Sequence, residues 1–453
     1  MRKIQKNLSK IDLAKLDLKK VAIPVALMVL AGLSYYAPER SQQIKLTSSY
    51  PATVCPAIGN KVSSIAALTS SKINRRSIDG SSKRLNPGKS SVIPMKNDAI
   101  LVEGNPGTSL TFANNGWKAV VPCSVSNGEQ WFIGGSGALT SKSFLYISNS
   151  GFSQSAVDIE IFTPNGLLEP SEVSIPQNST RKIAIDSLVP GEEAIAIAVK
   201  TKSGRVSSYL FDERKKGLKS LGADFVAPVA TARKVVTIPA ITGLLDKLVT
   251  NTNSVTHTLR LLVPASIDAN IDVTVNSNDG NFIPIGLSQL EVKSQRLISI
   301  PLTFAPTGQP FSVIVESDQP IFASVFSNFT YGKSSEIAWA TGADELSKWS
   351  VNLTGSRPIL NFVGDRIDVQ ISATGTNGKK ITKKVTGTNF QTWRAPTGLN
   401  RLEVTANRGG ISGGVIFLPE VGKIGTSYLP MNNGANLETA SEPISDARVI
   451  SRG

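Results

Sequence analysis

Residues 155–168 read SAVDIEIFTPNGLL, and residues 269–282 read ANIDVTVNSNDGNF. In the first stretch Val157, Ile159 and Ile161 alternate with Asp158 and Glu160 as far as Pro164-Asn165-Gly166. In the second, Ile271, Val273 and Val275 alternate with Asp272 and Thr274 and run on to Asp279-Gly280. A period of two places every second side chain on one side of an extended strand. Asn-Gly and Asp-Gly supply the positive φ angles of a tight hairpin turn. Each stretch therefore predicts an antiparallel hairpin with one face buried.

The two hairpins belong to a longer internal repeat. The first copy opens at Phe144–Ile147, continues past Gly166 through Val173-Ser174-Ile175-Pro176 and Arg181, and closes with Ile195, Ile197 and Val199. The second opens at Leu259–Leu262 and passes Leu290, Val292 and Arg296 before closing with Val313 and Val315. Gly166 to Arg181 is 15 residues and Gly280 to Arg296 is 16, so the anchors keep their spacing to within one position. A weaker third copy alternates Ile367, Val369 and Ile371 into Asn377-Gly378, then resumes at Phe390–Trp393, Leu402, Val404 and Val415–Phe417. The expected fold class is all-β: tandem antiparallel, sandwich-like (Ig-like) modules following one N-terminal transmembrane helix. The expected division is a basic cytosolic tail (1–20), an anchor (21–38), an N-terminal β segment (39–135) with a basic disordered insertion (60–99), repeats at 136–235, 236–345 and 346–430, and a disordered tail (431–453).

The anchor is read from VAIPVALMVLAGLSYYAP, residues 21–38, which carry no charge. As a helix this run spans roughly 27 Å, near the short limit for a bilayer core. Lys19 and Lys20 precede it and Tyr35 and Tyr36 close it, which predicts an inside N-terminus and an exported body. Signal cleavage near Ala31, with Val29 and Ala31 as the small residues, is the alternative, and would leave the body secreted. In the tail Ile4, Leu8, Ile11 and Leu18 share one helical face opposite Lys3, Lys6 and Lys10, a pattern that suits an anionic inner leaflet.

The net charge of +14 suggests anionic partners. It is concentrated in two places. Residues 1–20 hold seven Lys/Arg against Asp12 and Asp17, and residues 72–96 hold Lys72, Arg75, Arg76, Lys83, Arg84, Lys89 and Lys96 against Asp79. Those two runs supply +5 and +6, so the rest of the chain is close to neutral, which argues against a nucleic-acid surface on it. The second run is the candidate contact for an anionic cell-wall polymer. Cys55 and Cys123 both follow the anchor; an even count in an exported region reads as one disulfide, with two buried free thiols as the other reading.

Chemical motifs are sparse. His257, the only histidine, lies in Asn253–Thr258 at the start of a repeat strand and is read as a surface or edge residue. Asn276–Asn281 has the polar content of a calcium loop, but the equivalent positions Pro164-Asn165-Gly166 and Thr376-Asn377-Gly378 lack carboxylates, so a turn is expected. Asn86-Pro87-Gly88-Lys89-Ser90 lacks the first glycine of a phosphate loop, where Lys83 stands. Asp365 with Asp368, and Glu192 with Glu193, are carboxylate pairs by proximity alone. Trp117, Trp131, Trp339, Trp349 and Trp393 are dispersed, one or two per module, as core residues are. These readings give no catalytic residue, no cofactor and no metal site.

From Gln130-Trp131-Phe132-Ile133-Gly134-Gly135-Ser136 onward a resemblance accumulates. It continues through Leu145–Asn149, Thr163–Gly166, Val173–Pro176, Leu188-Val189-Pro190-Gly191, Ser203-Gly204-Arg205-Val206 and Ile238-Pro239. Over about residues 50–330 the chain resembles an uncharacterised actinobacterial family of single-anchor envelope proteins, a domain of unknown function, with Cys55-Pro56 as the Cys-Pro that precedes the Gly-Gly segment. The resemblance implies an extracytoplasmic location and a β fold, and it brings no reaction with it. The functional expectation is a non-enzymatic, membrane-anchored envelope scaffold or binding protein, whose partners are the membrane and an anionic wall polymer or other envelope proteins. A cell-wall glycan-processing enzyme and an assembly or signalling subunit acting through its cytosolic tail are the alternatives.

Overall fold

The computed structural model describes residues 53–56, 58, 63–67, 73–78, 82–85, 91–94, 98–102, 107–114, 117–243, 253–303, 308–418 and 425–432. The expected basic tail and anchor (1–38) lie outside the described residues, as does 433–453 of the expected disordered tail. Among the described residues no helix is long and apolar enough to cross a membrane. The described part is all-β, with one 3-10 turn at Ile185–Ser187.

Eight short strands come first: β1 (Thr53–Cys55), β2 (Ser63–Ala67), β3 (Ile73–Ser77), β4 (Ser82–Leu85), β5 (Ser91–Pro94), β6 (Ile100–Val102), β7 (Ser109–Asn114) and β8 (Trp117–Pro122). They form two four-stranded sheets, β1-β6-β3-β4 and β5-β2-β7-β8. Within 60–99, the stretch expected to be a disordered insertion, the described residues include β2, β3, β4 and β5. Their ladders run partly to β6 and β7, which follow the stretch in sequence. Pairing with distant strands holds such short segments in place without the local alternation that marks a half-buried strand.

The next unit contains β9 (Glu129–Phe132), β10 (Phe144–Asn149), β11 (Ser155–Thr163), β12 (Gly166–Leu167), β13 (Ser171–Ile175), β14 (Ser179–Ala184), β15 (Ala196–Ser203), β16 (Val206–Lys216) and β17 (Lys219–Val226). One sheet runs β14-β10-β16-β17; the other runs β12-β11-β15-β9, with β13 also on β11. Its first strand starts at Glu129, ahead of 136, because Trp131 and Phe132 pair with Ala198 and Ile197. Val157, Ile159, Ile161, Ile197 and Val199 from one sheet share a core with Leu145, Ile147 and Leu210 from the other. Each such side chain contributes roughly 1.5–3 kcal/mol on burial.

The second unit is β18 (Arg233–Thr242), β19 (Asn253–Leu262), β20 (Ala269–Ser277), β21 (Gly280–Phe282), β22 (Leu290–Val292), β23 (Leu297–Leu302), β24 (Pro310–Tyr331) and β25 (Ser334–Thr341). The third is β26 (Lys348–Ser356), β27 (Pro358–Gly375), β28 (Lys380–Arg394), β29 (Leu399–Ala406), β30 (Ser412–Phe417) and β31 (Ser427–Pro430). All three units pair in one pattern, but they fuse different strands. The first half of β24 pairs with β18 and β20, as β15 pairs with β9 and β11. Its second half pairs with β19 and β25, as β16 pairs with β10 and β17. In the third unit β27 does the work of β10 and β11: residues 358–363 pair with β30 and 369–375 with β29.

The hairpins at Gly166 and Gly280 are equivalent. Thr163 faces Gly166 and Ser277 faces Gly280 across the two turns. Gly166 and Gly280 take φ of 129° and 123°, values that side chains with a Cβ resist. The Thr163 hydroxyl donates to the Gly166 carbonyl at 3.1 Å and accepts from the Asn165 N–H at 3.1 Å, and the Ser277 hydroxyl repeats both contacts at 3.4 and 3.2 Å. Asp279 therefore sits in a turn. Met431 and Asn432 also depart from expectation: Met431 is buried in the third core and the Asn432 side-chain oxygen accepts the Asp344 N–H.

His257 is not a surface residue. It is 3% exposed, its Nδ1 lies 2.9 Å from Ser327 Oγ, and its ring meets the Phe311 ring edge-on. Burial pushes the imidazole down to about 4. A histidine depressed from its ordinary value of about 6.5 is neutral in the fold but takes up a proton once unfolded. Its contribution is therefore complete above pH 6.5 and is lost as pH falls towards 4, by about 3 kcal/mol in all. Urea unfolding at pH 7 and pH 4.5 should show the wild type losing roughly 2–3 kcal/mol more than a His257→Gln variant. Equal losses would show that the imidazole is not held neutral.

Candidate functional site at the junction of the repeats

Three acids sit inside apolar strands: Asp212 in Tyr209-Leu210-Phe211-Asp212, Asp224 in Ala223-Asp224-Phe225-Val226, and Glu336 in Glu336-Ile337-Ala338-Trp339. The first two lie on β16 and β17 of the first unit and the third on β25 of the second. None has exposed surface. Isolated buried carboxylates are expensive, so each must be met by donors.

Asp212 is met most fully. Arg214 grips its Oδ2 with Nε at 3.0 Å and Nη2 at 2.9 Å, Ser143 and Ser141 donate to Oδ1 at 2.7 and 3.2 Å, and Trp339 Nε1 reaches Oδ2 from the second unit at 3.1 Å. Burial pushes this carboxyl up, but the Arg214 charge and these hydrogen bonds outweigh it and hold it below the usual range. Asp224 accepts the Trp339 backbone N–H at 2.9 Å and the hydroxyl of Ser427, from the third unit, at 2.8 Å. Without a cation of its own, it is driven well above the usual range by burial, an effect only partly offset by those donors. Glu336 accepts the backbone N–H groups of Gly425 and Thr426 at 2.9 and 2.7 Å, and burial raises it too.

Trp339 links this cluster to a second cation. Arg260, on β19, lies 4.8 Å from the Trp339 ring and donates to the carbonyls of Gly135 (3.0 Å) and Glu193 (3.1 Å) in the first unit. Burial, with help from the Arg214 charge, pushes its guanidinium down to about 9. The Gly134-Gly135-Ser136-Gly137 segment is cut to fit. A Cβ on Gly134 would fall 2.9 Å from Val226 and 3.0 Å from Trp339, and one on Gly137 would fall 1.9 Å from the Val189 carbonyl oxygen. The Ser136 hydroxyl donates to the Glu192 carbonyl, and the Ser324 hydroxyl of the second unit donates to that of Ile133.

Residues 115–388 match the model of a family of unknown function (DUF5719). The chain belongs to this family. The match to DUF5719 takes in the first two units and about half of the third, including Asp212, Asp224, Arg260, Glu336 and Trp339. It begins after Cys55-Pro56, so that dipeptide lies outside it. Comparison with curated proteins finds no match. Within DUF5719 the Gly-Gly-Ser segment thus has a physical role in this chain: it is where the second repeat is seated against the first.

The residues singled out from sequence are scattered relative to this junction. Cys55 and Cys123 are joined, with Cα atoms 4.8 Å apart. Arg75 and Arg76 lie on β3 and Lys83 and Arg84 on β4, where Arg75 is the direct partner of Lys83; Lys72, Lys89 and Lys96 lie outside the described residues. Asp368 is engaged by Asn407 and Lys384 while Asp365 is exposed, so they do not converge. Glu193 contributes only its carbonyl to the junction. Trp117, Trp131, Trp339 and Trp349 are buried, and Trp393 is partly so. No group of three metal-ligating side chains occurs among the described residues. The junction acids escaped sequence reading, although Asp224 in Ala223-Asp224-Phe225-Val226 and Glu336 before Ile337-Ala338-Trp339 were visible signals.

The arrangement binds elements together rather than presenting a group to solvent. A substrate would reach these carboxylates only if the units parted. A carboxyl raised in the fold stabilises below its unfolded value, about 3.9, and that stability is lost as pH rises through the folded value. Asp224→Asn mimics the protonated form, so its thermal midpoint should match wild type at pH 4 and exceed it at pH 8. A variant destabilised equally at both values would show that Asp224 is ionised in the fold.

Proposed function

We propose that this protein is a non-enzymatic, membrane-anchored scaffold or binding protein of the cell envelope. Its three units act as exported Ig-like sandwich modules and residues 21–38 as the single anchor. The observation that carries the reading is the Cys55–Cys123 disulfide, buried in the core that joins the N-terminal sheets to the first unit. Structural disulfides persist where the compartment is oxidising, and both cysteines follow the apolar run. Closing a separation of 68 residues contributes about 4 kcal/mol in the chain-entropy model. The sealed junction supports a structural role, since its buried charges are spent on contacts between units.

The test is topological. Protease added to intact, wall-stripped cells should digest the body and spare a small N-terminal fragment. Chain alkylated during isolation should give a linked Cys55–Cys123 peptide pair. A protected body, or quantitative alkylation of both thiols without reductant, would overturn the reading.

An anionic wall polymer is the partner favoured for the β3–β4 hairpin. Its backbone register puts Arg75, Arg76, Lys83 and Arg84 on two adjacent strands, and a run of basic residues with one acid attracts polyanions. The full chain should co-sediment with wall polymer at low salt and release it as salt rises. Replacing Arg75, Arg76, Lys83 and Arg84 with Gln should weaken this severalfold. Unchanged, salt-insensitive sedimentation would place recognition on the repeat units instead.

A further inference from the structure

One end of the first unit carries two leucines that touch almost nothing. Leu218, in the turn between β16 and β17, is fully exposed, and Leu139, in the loop before β10, is 99% exposed. The backbone brings them together. Lys142 N–H donates to the Glu213 carbonyl and Lys215 N–H to the Thr140 carbonyl, both at 2.7 Å, while Ser141 bridges Arg214. Leu139 heads the turn that Ser141 N–H closes on the Ala138 carbonyl, next to Thr140 on Lys215, and Lys216, the following residue of β16, is the partner of Lys219 across the β16–β17 hairpin. Leu139 and Leu218 therefore lie in two turns at the same end of β16, one beside Lys215 and the other just past Lys216.

The tip is basic as well as apolar. Lys142, Lys216 and Lys219 are exposed, and no ion pair holds them among the described residues; Lys215 pairs with Glu213 at 3.0 Å. Lys215 and Glu213 offset each other, which leaves Lys142, Lys216 and Lys219 as the exposed cations of the hairpin, with Glu192 behind them beside Gly137. The exposed Phe282, Ile283 and Ile285 of the second unit differ, since their nearest charged neighbours in sequence are Asp272, Asp279 and Glu291.

The geometry points to a contact of this tip with an anionic lipid surface: Leu139 and Leu218 enter the headgroup boundary while the lysines meet lipid phosphates. Apolar tips ringed by lysine suit that interface, whereas a soluble polyanion has no use for the leucines. The position of the tether adds to this, a point that rests on the anchor reading. Pro38 to Thr53 is 15 residues, at most ~50 Å of chain. The chain enters at β1, where Val54 accepts the Tyr209 hydroxyl of β16. From Tyr209 to Lys216 along β16 is only about 23 Å. An anchored chain therefore holds this tip within reach of the bilayer.

The test uses the full chain with Leu218→Cys carrying a polarity-sensitive fluorophore, the native cysteines being paired. Phe152→Cys, in the loop at the other end of β10, serves as control. In vesicles containing phosphatidylglycerol the label at 218 should shift to the blue and be quenched by brominated lipid, while that at 152 should not. High salt should reverse the change, and Lys142, Lys216 and Lys219→Gln together should weaken it about tenfold or more. An aqueous label at 218, equal quenching in pure phosphatidylcholine, or equal quenching at 152 would overturn the proposal. Flotation with phosphatidylcholine vesicles reports on the anchor separately; if the chain does not float, adding phosphatidylglycerol vesicles to the free chain still decides for the tip. Lysine-dependent binding of soluble polyphosphate without any lipid-induced shift would assign the tip to a polymer and sink the lipid contact.

Discussion

The contact between Trp339 and Asp212 is the constraint on which the arrangement of the units rests. The indole is fully buried, its Nε1 is committed to a carboxylate of the preceding unit, and its ring lies under the guanidinium of Arg260. An indole N–H and a carboxylate have little choice once removed from water: each must find the other or remain unpaired at a cost of about 1–3 kcal/mol. Apolar faces alone would let two β units slide, because hydrophobic burial is non-directional. Directional bonds from Trp339, Arg260 and Ser324 fix one docking geometry, and the bare backbone of Gly134 and Gly137 makes room for it.

The third unit is held in a related way with different chemistry. Its 425–427 segment offers two backbone N–H groups to Glu336 and one hydroxyl to Asp224. No lysine or arginine side chain bonds either acid among the described residues, so burial lifts both carboxyls, whereas Asp212, with Arg214 at hand, is lowered. One junction thus contains carboxyls displaced in opposite directions. The pattern would suit acid–base chemistry in an open cleft. Here the cleft is closed, and the same displacement reports how completely the units exclude water.

Much of this was legible in sequence where the physics is local. Period-two alternation and Asn-Gly or Asp-Gly turns depend on a few adjacent residues, so the hairpins at Gly166 and Gly280 and their equivalence could be read directly. Whether Val206–Lys216 and Ala196–Ser203 remain two strands or become one, as in Pro310–Tyr331, depends on a short break at Gly204, where a Cβ would fall 2.1 Å from Ser155 Oγ. No local pattern announces that. The strands of residues 63–94 were missed for a related reason, their ladders being completed by Ile100–Val102 and Ser109–Asn114. His257 was misread because its environment is made by Ser327 and Phe311, 70 and 54 residues away.

The N-terminal sheets show why a disulfide suits this position. Strands of three to six residues bury little on their own, and such small sheets commonly depend on a cross-link or on another surface. This region uses both. Trp117 and Phe112 meet Phe211 with ring centroids 5.5 and 5.1 Å away, and Phe211 in turn meets Phe225 at 5.3 Å. Tyr209 accepts the Ser124 N–H and donates to the Val54 carbonyl, touching the chain beside each half of the disulfide. The outer face of the first unit is therefore the floor on which the N-terminal strands are assembled, and its inner face is the floor for its own core. Aromatic residues at alternate positions of β16, Tyr209 and Phe211, face one way while Leu210 faces the other, so a single strand positions the N-terminal strands, the first core and, through Asp212, the second unit.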